Sequence, residues 1–363
     1  MGKQEIKTAA KMPGRVAYFD VLNILATISV VWIHFGNEVH WYDGSQVWYW
    51  CLFIQVLCYW AVPVFFMLTG ATLMTYQEKY STKEFFIHRV KRGLLPYLAF
   101  GGVLALWQIF KGDLVVDAAH PLISILDIFM NNRMENIYWF FLVLFGIYLA
   151  IPAMAVFTKP DNRKSLDYLV LVGIITVSVM PFLTQATKHL FGTWEMSPWN
   201  TALELPVLGS YLIFPVLGYW VSTREFTQRE RILCYVGAVL SAMLRFAGLK
   251  LLSERDGVTN QLFMDYRSFP SLFWALGVFV FVRYAVSDRI TLLNRWEKVL
   301  KELSTCSLGV YLIHHPVLMV MEKMPFFAKY SLQWYFFWPF VCYVGCASVI
   351  FFGRACLKRL ISR

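Results

Sequence analysis

Ten apolar blocks of about twenty residues, separated by short polar stretches, limit what this chain can fold into. They cover 17–35, 48–75, 93–111, 137–157, 167–187, 204–222, 232–251, 268–286, 304–322 and 334–353. About twenty helical residues cross a hydrocarbon core of about 30 Å. Lipid offers no partner for an unpaired backbone amide, so separate blocks of this length predict spanning helices rather than a barrel. With 58% hydrophobic and 15% charged residues and a mean hydropathy of +0.53, the 363 residues are too apolar for one or two soluble domains. The expected fold class is an all-α polytopic membrane protein with about ten transmembrane helices. The second block is long and contains Pro63, which predicts a kink or a tilt. The 112–136 connection is the longest and most acidic, with room for a short interfacial helix around Pro121–Met130.

The positive charges are unevenly shared between the two sides. Segments 1–16, 76–92, 158–166, 223–231, 283–303 and 354–363 hold 24 of the 33 Lys and Arg, and the alternating segments hold eight. Basic residues collect in cytoplasmic segments, so both termini are expected inside, as basic tails 1–16 and 354–363 flanking a membrane domain over 17–353. Trp41, Trp48, Trp50, Trp194, Trp199, Trp334 and Trp338 then gather at the outer interface, where amphipathic rings settle. The net charge of +10 is explained by inner loops and needs no nucleic-acid partner. No small-residue cleavage site follows Ile33, so the first block is expected to stay as a span. The seven cysteines lack a C-x-x-C pair and lie mostly inside apolar blocks, which points to buried thiols and no metal site.

Polar residues inside such blocks are costly and mark candidate sites. At 100° per residue Asp20, Asn23, Thr27 and His34 share one face of the first block. Asn23 and His34 are almost three turns apart, about 16 Å, with His34 at the outer end. Arg89 and Arg92, at i, i+3 before the third block, can present two guanidinium forks to one anionic ligand or anchor the helix at lipid headgroups. Tyr311 and His314 share a face of the ninth block, next to Pro316. His314 is read equally as satisfied by a backbone carbonyl or hydroxyl, or as functional, while His315 points elsewhere and reads as packing. Arg245, inside the seventh block, is expected to pair with Glu204 or Asp265 or to meet a substrate. Glu38, His40 and Asp43 read as a solvated outer loop.

Five stretches in order resemble the membrane-bound acyltransferase-3 family, over about residues 15 to 352. They are Asp20–Val21–Leu22–Asn23 with His34, Pro63–Val64–Phe65–Phe66–Met67–Leu68–Thr69–Gly70, Arg89–x–x–Arg92 running into Pro96–Tyr97, Tyr138–Trp139–Phe140 to Tyr148 and Pro152, and Tyr311–Leu312–Ile313–His314. The resemblance implies transfer of an acyl group, commonly acetyl, from cytoplasmic acyl-CoA to a hydroxyl of an envelope glycan or lipid-linked sugar at the cell membrane. Acyl-CoA would be a co-substrate, with no permanently bound cofactor. By position His34 matches the family's essential histidine, and Arg89 and Arg92 match the arginines linked to the donor. Asn23 departs from the family, which usually has arginine there. Asp20, Tyr311, His314 and Arg245 are supporting polar residues of the bundle. A glycan transporter or flippase remains an alternative, since a polar stripe within many spans suits it equally well, and Asn23 keeps open a small-molecule sensor or a structural partner in envelope assembly.

Overall fold

The computed structural model describes residues 16–192, 208–288 and 295–361, with every regular element helical among them. The helices are α1 (Ala17–Phe35), α2 (Gln46–Cys58), α3 (Ala61–Leu73), α4 (Thr82–Arg89), α5 (Leu95–Lys111), α6 (Pro121–Met130), α7 (Trp139–Met154), α8 (Arg163–Gly173), α9 (Met180–Phe191), α10 (Ile213–Thr223), α11 (Gln228–Asp256), α12 (Phe269–Ser287), α13 (Glu297–Glu322), α14 (Leu332–Phe336) and α15 (Trp338–Ile361). Nine helical segments among the described residues are long and apolar enough to cross a membrane. The remaining expected span, 204–222, is represented by the shorter apolar helix α10, and its residues 204–207 lie outside the described residues. The short helix expected in the long connection is α6. The chain is a multi-pass membrane protein.

Prolines account for the irregularities. The second block is broken into α2 and α3 at Tyr59–Trp60. Pro63 has no N–H for the Tyr59 carbonyl four residues back, and its ring crowds that carbonyl. A π-turn, Val90–Leu94, joins α4 to α5 just before Pro96, with Leu95 N–H donating to the Val90 carbonyl. A second π-turn, Ile174–Val179, precedes Pro181 in the same way. In each case the wider turn absorbs the donor that proline lacks.

Helix α1 lies at the centre, packed against α2, α3, α12, α13 and α15. Its Leu22, Ala26, Val30, Val31 and Phe35 are buried. Helices α3 and α10 come into backbone contact through two reciprocal glycines. A Cβ on Gly70 would fall 1.8 Å from the Pro215 carbonyl oxygen, and one on Gly218 would fall 1.9 Å from that of Met67. In lipid, where no hydrophobic effect drives helices together, such close approach supplies the dispersion contact that does. The rim is the reverse: Val103, Leu106, Trp107 and Phe110 of α5 and Leu122, Ile123 and Leu126 of α6 are exposed, as faces that meet acyl chains.

Candidate functional site

At one end of the bundle a cavity of about 640 Å³ opens between α1, α3, the end of α4 with the π-turn that follows it, α7 and α13. Lys79, Arg89 and Arg92 stand around it, with Asp20, Asn23, Ser304 and Ser307 on its polar wall and Phe65, Leu68, Phe140 and Leu144 on its apolar wall. Among the described residues no carboxylate lies within salt-bridge distance of any of the three cations. The Arg89 guanidinium is 5.6 Å from the ring centroids of both Phe85 and Tyr148, and its Nε is buried without a hydrogen-bond partner. Aromatic faces hold a guanidinium in place while leaving its hydrogen-bonding edge for a ligand. Helix α4, which carries Arg89, is started by a capping box in which Ser81 and Glu84 satisfy each other's backbone N–H groups.

Asn23 does not project freely into the cavity. Its Nδ2 donates to both the carbonyl and the Oγ of Ser304, each at 2.9 Å, and so ties α1 to α13. The position where the family resemblance expects a cation is a helix clasp here. Asp20, 6% exposed, lies one turn below it.

Tyr311 ends the cavity. It is buried, and its hydroxyl donates to the Ile137 carbonyl at 2.8 Å. Beyond it His34 and His314 meet, Nδ1 to Nε2 at 2.7 Å, with nearly parallel rings 5.0 Å apart. His314 is 1% exposed, and its Nδ1 is 3.0 Å from the Val310 carbonyl and 2.8 Å from that of Tyr311. From Ser304 to Tyr311 the helix rises about 10 Å, and from Tyr311 to His314 about 5 Å more. Pro316 leaves the Leu312 carbonyl without its helical donor, and the Tyr138 hydroxyl takes it at 2.7 Å. The helix therefore carries a proline next to the histidines without an orphaned carbonyl.

Two residues of this centre escaped the sequence reading. His315 does not merely pack: its ring stands edge-on to His34 with centroids 5.6 Å apart. Its Nδ1 is 3.0 Å from the carboxylate of Glu135, which is 7% exposed. A buried carboxylate is stable only when paired, and its position just ahead of the fourth apolar block was the signal available in the sequence.

Arg245 is elsewhere. It is fully buried in α11, its guanidinium 3.3 Å over the Tyr59 ring, with Nη1 donating to Ser271 Oγ at 2.8 Å and Nη2 to the Met264 sulfur at 3.8 Å. The expected pairing with Asp265 is not made, because that carboxylate takes Arg267 at 3.1 Å. Glu204 lies outside the described residues. Of the loop residues, Asp43 accepts from the backbone N–H of Ser45 at 2.9 Å, and hydrogen bonds from Ser45 hold its carboxyl below the usual range. Glu38 lies 3.6 Å from Lys329. Partial burial opposes the charged form of Lys329, but the carboxylates of Glu322 and Glu38 outweigh it and push the amine up. Among the described residues no cluster of His, Cys, Asp and Glu has the makings of a metal site.

No curated protein and no solved structure matches the chain. A family model described as an acyltransferase domain matches residues 16–353, from the first residue before α1 to the last spanning helix. The run of matched sequence thus carries the cation-lined cavity, the histidine centre and the helices between them, and the chain belongs to acyltransferase family 3.

Proposed function

We propose that this acyltransferase uses acyl-CoA, with acetyl as the acyl group, and transfers it to a hydroxyl of an envelope glycan or lipid-linked sugar. The observation that carries the reading is the cavity mouth. Three cations without a carboxylate partner among the described residues suit the phosphates of CoA, since guanidinium forks bind phosphate oxygens in pairs. A pantetheine arm entering there runs along Ser304 and Ser307 towards Tyr311 and the histidines. With the basic end facing the cytoplasm of a cell-membrane protein, the donor comes from inside and the acceptor meets His34 from the far side.

In the chemical step His34 takes the acceptor hydroxyl proton as the oxygen attacks the thioester carbonyl carbon. The C–S bond then breaks, and the departing thiolate recovers the proton from His34. Histidine suits this role because the unperturbed pKa of an imidazole lies near neutral pH, and general base catalysis contributes about 10²–10⁴ in rate. Membranes incubated with radiolabelled acetyl-CoA test the proposal. His34→Ala is expected to abolish label in the glycan at normal expression, and Arg89→Ala or Arg92→Ala to raise the KM for acetyl-CoA. Full labelling by His34→Ala sinks the assignment, and glycan movement without CoA release points to a transporter.

A further inference from the structure

Two carbonyls decide where the protons sit in the histidine pair. The Val310 and Tyr311 oxygens can only accept, so His314 Nδ1, 3.0 and 2.8 Å from them, carries a hydrogen. Two arrangements then satisfy the 2.7 Å contact to His34. In one, His314 is an imidazolium donating through Nε2. In the other it is neutral, and its bare Nε2 accepts from His34 Nδ1–H. The first puts a cation on a side chain that is 1% exposed. Among the described residues neither ring has a carboxylate within salt-bridge distance, because Glu135 pairs with His315. An unpaired charge buried this deeply is far costlier than a neutral hydrogen bond. The neutral arrangement is the one the surroundings support.

We infer that His314 is a positioning residue, whose carbonyl-anchored ring holds His34 in the Nδ1–H tautomer and so leaves His34 Nε2 as the basic nitrogen. This rests on the reading of His34 as general base. Isolated histidine side chains favour the opposite tautomer, with the proton on Nε2, so an unheld His34 would present an N–H where the reaction needs a lone pair. A backbone carbonyl behind a histidine does here what a carboxylate does behind the catalytic histidine of serine hydrolases, without adding a charge to the bundle. When His34 takes the acceptor proton, its Nδ1–H still donates to the same lone pair. The acceptor of that bond need not move during the reaction.

The decisive measurement is 15N NMR of the purified protein labelled with 15N-histidine in nanodiscs, with His34 assigned from the signals missing in His34→Gln. The expected result is a protonated Nδ1 and a bare Nε2 in the wild type. A protonated Nε2 with a bare Nδ1 overturns the inference. This readout needs no substrate, so it stands even if wild-type membranes fail to use acetyl-CoA, the result that would sink the acyl-CoA reading alone. In the activity assay His314→Leu is expected to lose about 10²–10⁴ in kcat with the KM for acetyl-CoA unchanged. His314→Gln, whose amide oxygen can accept from His34 Nδ1–H, is expected to recover most of that loss. A wild-type kcat in His314→Leu refutes the positioning role.

Discussion

At the histidine centre, what a substitution does depends on what the lost side chain faced. Glu135 and His315 make the sharpest case, because only one of the two is deeply buried. His315→Leu strands a carboxylate away from water, whereas Glu135→Gln leaves a neutral amide beside an imidazole that retains some solvent. His315→Leu is therefore expected to lower thermal stability in detergent by about 1–3 kcal/mol. Adding Glu135→Gln to it should restore part of the loss, since the double variant buries no unpaired charge. If the second substitution lowers the melting temperature further, the carboxylate is satisfied by something other than the ring. Residue type and helical spacing were enough to mark His34, Arg89, Arg92 and His314 in the sequence. Glu135 was not legible, because it sits in an acidic connection where a solvated carboxylate is the ordinary case. His315 was misread because its rotation about α13 was judged against that helix alone, and the neighbours it meets belong to α1 and the connection ahead of α7.

At the scale of elements, the apolar blocks located the helices well because spanning length is a hard constraint, while their interruptions depended on prolines. Pro63 announced a kink, and the structure turns it into a break. The π-turns at 90–94 and 174–179 were not legible, since a uniform 100° period has no term for one wide turn. The contact between α3 and α10 was hidden for another reason: Gly70 stood in a motif, but which backbone it met depended on a helix about 150 residues away. That contact carries a firm expectation. Gly70→Ala or Gly218→Ala forces two backbones apart rather than displacing a flexible side-chain tip. Each is expected to cost at least about 1–3 kcal/mol, as overpacking does. Fluorescence-detected size-exclusion should show a sharp loss of monodisperse protein for both, whereas Gly146→Ala, which meets open space, should behave as wild type. A well-behaved Gly70→Ala would mean that α3 and α10 slide more easily than their contact allows.

For the whole molecule, the proposed traffic of donor and acceptor depends on the orientation that charge asymmetry leads one to expect. Cys356, exposed near the end of α15, provides a direct check. With the basic end inside, a membrane-impermeant maleimide should leave Cys356 unlabelled in intact cells and label it after permeabilisation, with Cys356→Ser as the blank. Labelling in intact cells reverses the orientation and with it the side from which acyl-CoA enters.

Helices α1 and α13 are joined twice, by Asn23 to Ser304 and by His34 to His314. Both joints lie on the same two helices, about 16 Å apart on α1. The separation between the Asn23–Ser304 joint on the cavity's polar wall and the histidine pair is thus set by backbone rise, and side chains have little room to adjust it. Under the proposed reaction the two helices act as a ruler. A donor is then selected by the length of its arm before the size of its acyl group matters, and a thioester on a shortened carrier stops short of the base.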